Sequence, residues 1–143
     1  MGNYAFDVAT SPDLAELLQQ AGFQHVTSKT YPPRESFSAP ELLAELQIPA
    51  ASPPEALVFI AFNALLQADQ AELYRLLQAK FPNIPMILLT AGTPYDGDVM
   101  PNPSLHLSLC SYRPATMRAL AQLLQSGFPA SAKPVPEAAA GPL

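Results

Sequence analysis

Cys110 and His106 are the first pair in this sequence that could do chemistry, as a thiol nucleophile and its base. On a strand, four residues separate them by about 13 Å at ~3.3 Å per residue. A nucleophile and its base must meet at roughly 3 Å, so the pair fails on geometry and Cys110 reads as a small strand-end residue. Asp96-Gly97-Asp98 has the opening of a Ca²⁺ loop, but the later ligands and the bidentate Glu are missing, and Asp and Gly are also turn formers. Asp7 lies inside an expected strand; it reads as an edge or solvent-facing carboxylate, with a displaced metal ligand as the sharper alternative. His25 stands alone and reads as a surface residue. After the first expected strand comes Thr10-Ser11-Pro12 and no glycine-rich phosphate loop, which disfavours a bound nucleotide or flavin. Thr10, Ser11 and Asn63 could still donate hydrogen bonds into the crevice at the strand carboxyl ends, where open α/β sheets bind ligands.

The elements that must position these groups alternate. Residues 4–10 read as a strand; Ser11-Pro12 caps a helix through Leu14, Leu17 and Leu18 that Gly22 stops. Residues 23–28 alternate apolar and polar as a half-buried strand does, and Tyr31-Pro32-Pro33-Arg34 reads as a loop. Ser38-Ala39-Pro40-Glu41 has capping-box spacing and opens a helix to Leu46. Two continuous apolar runs, 57–62 and 86–90, suit strands covered on both faces. Between them lies a helix with Leu73, Leu76, Leu77 and Phe81 on its core stripe and Asp69 or Glu72 as caps. Residues 105–110 alternate and belong nearer a sheet edge; Pro114 opens the last helix, closed by Gly127. Strands alternating with helices predict a three-layer α/β domain over 1–128 with a parallel sheet. Residues 129–143 carry four of the 17 prolines and no apolar periodicity, and read as a linker or disordered tail.

Composition excludes several classes. Among 143 residues there are 7 Lys+Arg and 12 Asp+Glu, too few basic groups for a nucleic-acid footprint. No apolar run reaches the roughly 18–20 residues of a membrane span, and the N-terminus has no signal-like n- or h-region; a cytoplasmic domain is expected. One cysteine permits no internal disulfide and no cysteine metal cluster.

Residues 57–124 resemble the second half of a response-regulator receiver, the flavodoxin-like phosphoacceptor domain of two-component signalling. The resemblance is carried by residues 73–91, in which a helix ends in Phe81-Pro82-Asn83-Ile84-Pro85 and an apolar strand ends in Thr90-Ala91. Residues 4–46 match in element order and in the Pro12-Asp13-Leu14 helix start. The resemblance implies a five-stranded parallel sheet in the order 2-1-3-4-5, with a Mg²⁺-holding acid pair, an acceptor Asp and a Lys at the strand ends. Those positions fall on Ala9 and Thr10, on Ala61 or Phe62, and on Cys110. None can serve, so no metal, cofactor or catalysis is expected. Thr90 and the aromatic Tyr112 keep the switch-like positions. Between Ala91 and Ser104, three prolines and two glycines replace the fourth helix with a loop.

The resulting expectation is a phosphorylation-independent pseudo-receiver that acts as an interaction or dimerisation module. Its partner would be a protein or a second copy, with a fused output domain and neither nucleic acid nor membrane. Tyr95, Tyr112, Arg113 and Arg118 are the interface candidates, being hot-spot residue types. Two alternatives stand beside it: a small-molecule sensor using the degenerate pocket of Ala9, Thr10, Asn63, Thr90 and Cys110, and a receiver phosphorylated at a displaced carboxylate such as Asp7.

Overall fold

A computed structural model describes residues 3–8 (as backbone), 14–32, 35–48, 53–111 and 113–126. The strands are β1 Asn3–Val8, β2 Val26–Tyr31, β3 Leu57–Ala61, β4 Met86–Thr90 and β5 Leu105–Ser108; the helices are α1 Leu14–Gln20, α2 Ala39–Glu45, α3 Ala68–Lys80 and α4 Pro114–Ser126. All strand pairings are parallel, and the hydrogen-bonded order is β2-β1-β3-β4-β5. The α/β class with a parallel sheet is the one the alternating elements implied. α1 packs on α4 and α2 on α3. Right-handed crossovers require that division, because the chain moves one way from β1 to β2 and the other way from β2 onward.

The continuous apolar runs became β3 and β4, in which every residue is buried. They lie side by side from Leu57↔Met86 to Ala61↔Thr90, so neither has a solvent face and no alternation is needed. On one face Phe59 stacks on Tyr31 at 5.8 Å and meets the edge of Tyr74 at 5.5 Å. Ser38 caps α2 by accepting from the Glu41 amide, as the capping-box spacing predicted.

Four expectations are corrected. β2 begins three residues later than the alternation at 23–28 suggested and takes in Tyr31, which is buried rather than in a loop. The cause is the end of α1: Gly22 donates to Gln19 and Phe23 to Leu18, the paired bonds of a Schellman motif, and His25 then turns the chain with φ 58° before the strand starts. His25 is thus a turn residue, exposed as expected. α3 has no side-chain cap; Asp69 instead accepts from the Phe37 amide at 3.1 Å and ties the approach to α2 onto α3. β5 stops at Ser108 because Cys110 adopts φ 51°. The segment after β4 is not wholly a loop: Pro94–Val99 forms a 3-10 helix. Proline is tolerated at its start and Thr93 caps it. The expected helix start at Ser11-Pro12 and the 129–143 tail lie outside the described residues.

Gly22 has φ 101°, and a Cβ added there would meet nothing within 4 Å, so only the left-handed backbone demands glycine. Gly22→Ala is expected to lower stability by about 1 kcal/mol, read as a lower urea midpoint at unchanged slope. α3 supplies a pH-dependent contribution as well. The Tyr74 hydroxyl donates to the Pro101 carbonyl at 3.2 Å and accepts from Gln78 at 3.1 Å. Burial pushes its phenol from 10.0 up to about 12. The unfolded chain ionises first, so this contribution is intact below pH 10 and is lost as pH rises through 12. Phenolate absorbance should show one tyrosine ionising near pH 12, and Tyr74→Phe should flatten the alkaline fall in stability.

Candidate functional site

The carboxyl ends of β3, β4 and β5 surround a cleft of about 420 Å³. Phe62 and Asn63 enter it after β3, and Ala91 and Gly92 after β4. Cys110, Ser111 and Arg113 close it after β5. No carboxylate lines it among the described residues. Two of its residues, Asn63 at φ 55° and Cys110 at φ 51°, hold left-handed backbone on opposite walls, a conformation that few non-glycine residues adopt. Gly92 between them has no room for a side chain: a Cβ would stand 2.8 Å from Asn63 Oδ1 and 3.3 Å from the Asn63 amide nitrogen.

Behind the cleft, Gln70 of α3 fixes the exit of β3. Its Nε2 donates to the Phe62 carbonyl at 2.8 Å and its Oε1 accepts from the Phe62 amide at 3.1 Å. Nε2 also donates to Gln67, and the Tyr31 hydroxyl lies 3.0 Å from Oε1 while donating to the Ile60 carbonyl. A fully buried amide with both of its polar atoms engaged is a rigid bracket. Gln70 belongs to no motif and was not among the candidates expected from sequence. Its spacing from Leu73, Tyr74 and Leu77, at three, four and seven residues, was the signal that placed it on the buried stripe.

Thr90 does not line the cleft. It is buried, and its hydroxyl is 2.9 Å from His106 Nε2. His106 stands opposite Leu88, so Thr90 is its diagonal neighbour on the same face. The His106 ring rests on Gly97, where a Cβ would meet it at 2.8 Å. Cys110 Sγ instead lies 3.4 Å from Ser108 Oγ; cysteine and histidine have different partners.

Asp96, read as a turn former, lies in the Pro94–Val99 helix and is fully buried. Its Oδ1 accepts from the Leu65 amide at 3.2 Å, joining the Pro94–Val99 helix to a second 3-10 turn, Ala64–Leu66; Oδ2 has no partner among the described residues. This junction holds three apolar side chains outward: Leu66 is 87% exposed, Tyr95 65% and Leu65 48%. Among the described residues no group of three His, Cys, Asp or Glu could hold a metal, and no helix is long and apolar enough to cross a membrane.

The other expected site residues are dispersed. Asn63 and Cys110 share the cleft, with Phe62 beside them and Ala61 buried behind. Arg113 lines the cleft and Tyr95 the apolar junction, whereas Arg118 lines a separate groove between α1 and α4. Ala9, Thr10 and Tyr112 lie outside the described residues. Asp7 belongs to β1, which runs between β2 and β3 and is not an edge strand.

No family model and no curated protein matches the chain. Two solved structures are similar in fold. A glycoside hydrolase family 3 β-N-acetylglucosaminidase from a Paenibacillus species superposes with a TM-score of 0.72 at 23% identity, over 87% of this chain and 25% of that one. A fungal multi-domain family 3 β-N-acetylglucosaminidase, described as having a GCN5-related glucosamine N-acetyltransferase region, gives a TM-score of 0.55 at 14% identity, over 87% of this chain and 14% of that one. The chain therefore spans a quarter or less of the proteins whose fold it shares.

Proposed function

We propose that this domain is a non-catalytic docking module of a family-3-type glycoside hydrolase, seated on the hydrolytic part through Leu65, Leu66 and Tyr95. The observation that carries the reading is the exposed apolar junction at the carboxyl end of the sheet. Leu66 at 87% and Tyr95 at 65% exposure are held in place by buried Asp96. Large apolar side chains presented on a braced scaffold are features of protein contact sites.

Two further observations support it. The same fold forms a quarter of a longer glycosidase chain, where a domain of this kind has a covalent neighbour to pack on. Glycoside hydrolysis itself usually requires a pair of carboxyl groups flanking the bond, and the described residues that line the cleft include none. The 143-residue chain alone is expected to leave a chromogenic N-acetyl-β-glucosaminide unhydrolysed, and hydrolysis abolished by a point substitution in the cleft would overturn the non-catalytic reading.

A second reading, the phosphorylation-independent pseudo-receiver with a fused output domain, is supported by two observations. The strand order β2-β1-β3-β4-β5 is that of flavodoxin-like receivers, and the Phe81–Pro85 turn leads into β4 ending at Thr90. Mg²⁺ with beryllofluoride separates both readings from a phosphorylated receiver. Amide resonances are expected to stay in place, and a shift centred on Asp7 would restore the displaced-carboxylate alternative.

A further inference from the structure

The docking reading leaves the cleft unused. Its volume, about 420 Å³, falls in the range of small-molecule sites, roughly 300–1,000 Å³. Its described polar side chains, Arg113, Ser111 and Asn63, each have an N–H or O–H to donate. The Arg113 guanidinium makes no hydrogen bond or ion pair to the described residues, where Lys29–Glu45 is the one ion pair. The Asn63 side chain caps nothing. Ser111 Oγ accepts from the Arg113 amide at 3.2 Å and from Thr116 at 3.1 Å, which leaves its own proton to donate.

We propose that this cleft binds the oxyanion head of a small molecule, a carboxylate or a phosphate, between Arg113, Ser111 and Asn63. A guanidinium fork fits either group through two parallel N–H···O bonds. Among the described residues that line the cleft there is no carboxylate to compete for the guanidinium or repel the anion. The left-handed backbone at Asn63 and the absent side chain at Gly92 give the second wall its shape, and Gln70 holds that wall through Phe62. Leu65, Leu66 and Tyr95 are not part of the cleft, so the anion site stands or falls separately from docking.

Isotope-labelled protein titrated with sodium acetate, and separately with sodium phosphate, tests this at ionic strength held constant with chloride. Saturable shifts of the Asn63, Gly92 and Ser111 amides are expected in at least one series. Acetate alone would identify a carboxylate site and phosphate alone a phosphate site. Arg113→Gln should weaken binding by about tenfold, while Arg118→Gln, in the α1–α4 groove, should not change it. Asn63→Asp, which puts a negative charge in the cleft, should also abolish saturation and guards against an Arg113 variant that fails to fold. Linear shifts in both series, or equal saturation in the wild type and both cleft variants, would overturn the proposal.

Discussion

Phe59→Ala is expected to cost about 3–5 kcal/mol, the largest single loss among the aromatic side chains at the centre of the domain. Phe59 is fully buried on the middle of β3 and lies between two rings, stacked on Tyr31 and edge-on to Tyr74. Removing it deletes the common partner of both pairs and leaves a cavity between the sheet and α3. Each aromatic pair is worth about 0.5–1.5 kcal/mol beyond its buried area. Against a domain stability of roughly 5–15 kcal/mol, that loss leaves a marginal fold. Urea denaturation should show the midpoint falling at constant slope, and Phe59→Leu should lose much less, since most of the volume is kept. Equal losses for the two variants would mean that the rings are not held as described.

Gln70→Leu is expected to cost about 2–4 kcal/mol although it replaces a polar group with an apolar one of similar size. The side chain supplies a donor and an acceptor to the backbone of Phe62, just past the end of β3. Leucine fills the space and supplies neither. The penalty arises from desolvated backbone groups that have each lost the Gln70 amide as a partner, not from lost packing. A matching gain in amide exchange at Phe62 and Asn63 should accompany the fall in stability. Unchanged stability would mean that water or a neighbouring group replaces the amide without cost.

The parts of the fold that were legible in the sequence are those in which one local signal dominates. The runs at 57–62 and 86–90 have no polar residue until their ends, and they became the two fully buried strands. Ser38 and Glu41 at capping-box spacing gave α2 its start. β2 was read out of frame because its buried residues, Val26 and Tyr31, lie at its two ends. The alternation at 23–28 was produced instead by Phe23 closing the Schellman motif. The 3-10 helix was not legible because three prolines and two glycines between Ala91 and Ser104 oppose a regular helix, although Thr93-Pro94 carries the same kind of start signal as Ser11-Pro12. Of the candidate site, Asn63 was legible from its place just past an expected strand and Cys110 from its place at the end of one. Asp96 was not, because its burial depends on what Ala64–Leu66 brings to it; the spacing of Gln70 marks its place on the buried stripe of α3, but its bonds to Phe62 depend on where β3 ends.

The central claim is that the apolar junction is covered by the hydrolytic part of a longer chain. The most direct measurement exchanges the matching quarter of the Paenibacillus enzyme for this domain and compares Leu66→Ser with Tyr95→Ser in both settings. In the isolated domain the two exposed residues should change stability by no more than about 0.5 kcal/mol. In the chimera the same pair should lower the melting temperature of the whole protein and raise amide exchange at Leu65–Leu66 and Tyr95–Asp96. Small, equal effects in the isolated domain and in the chimera, with those amides equally unprotected in both, would contradict the claim.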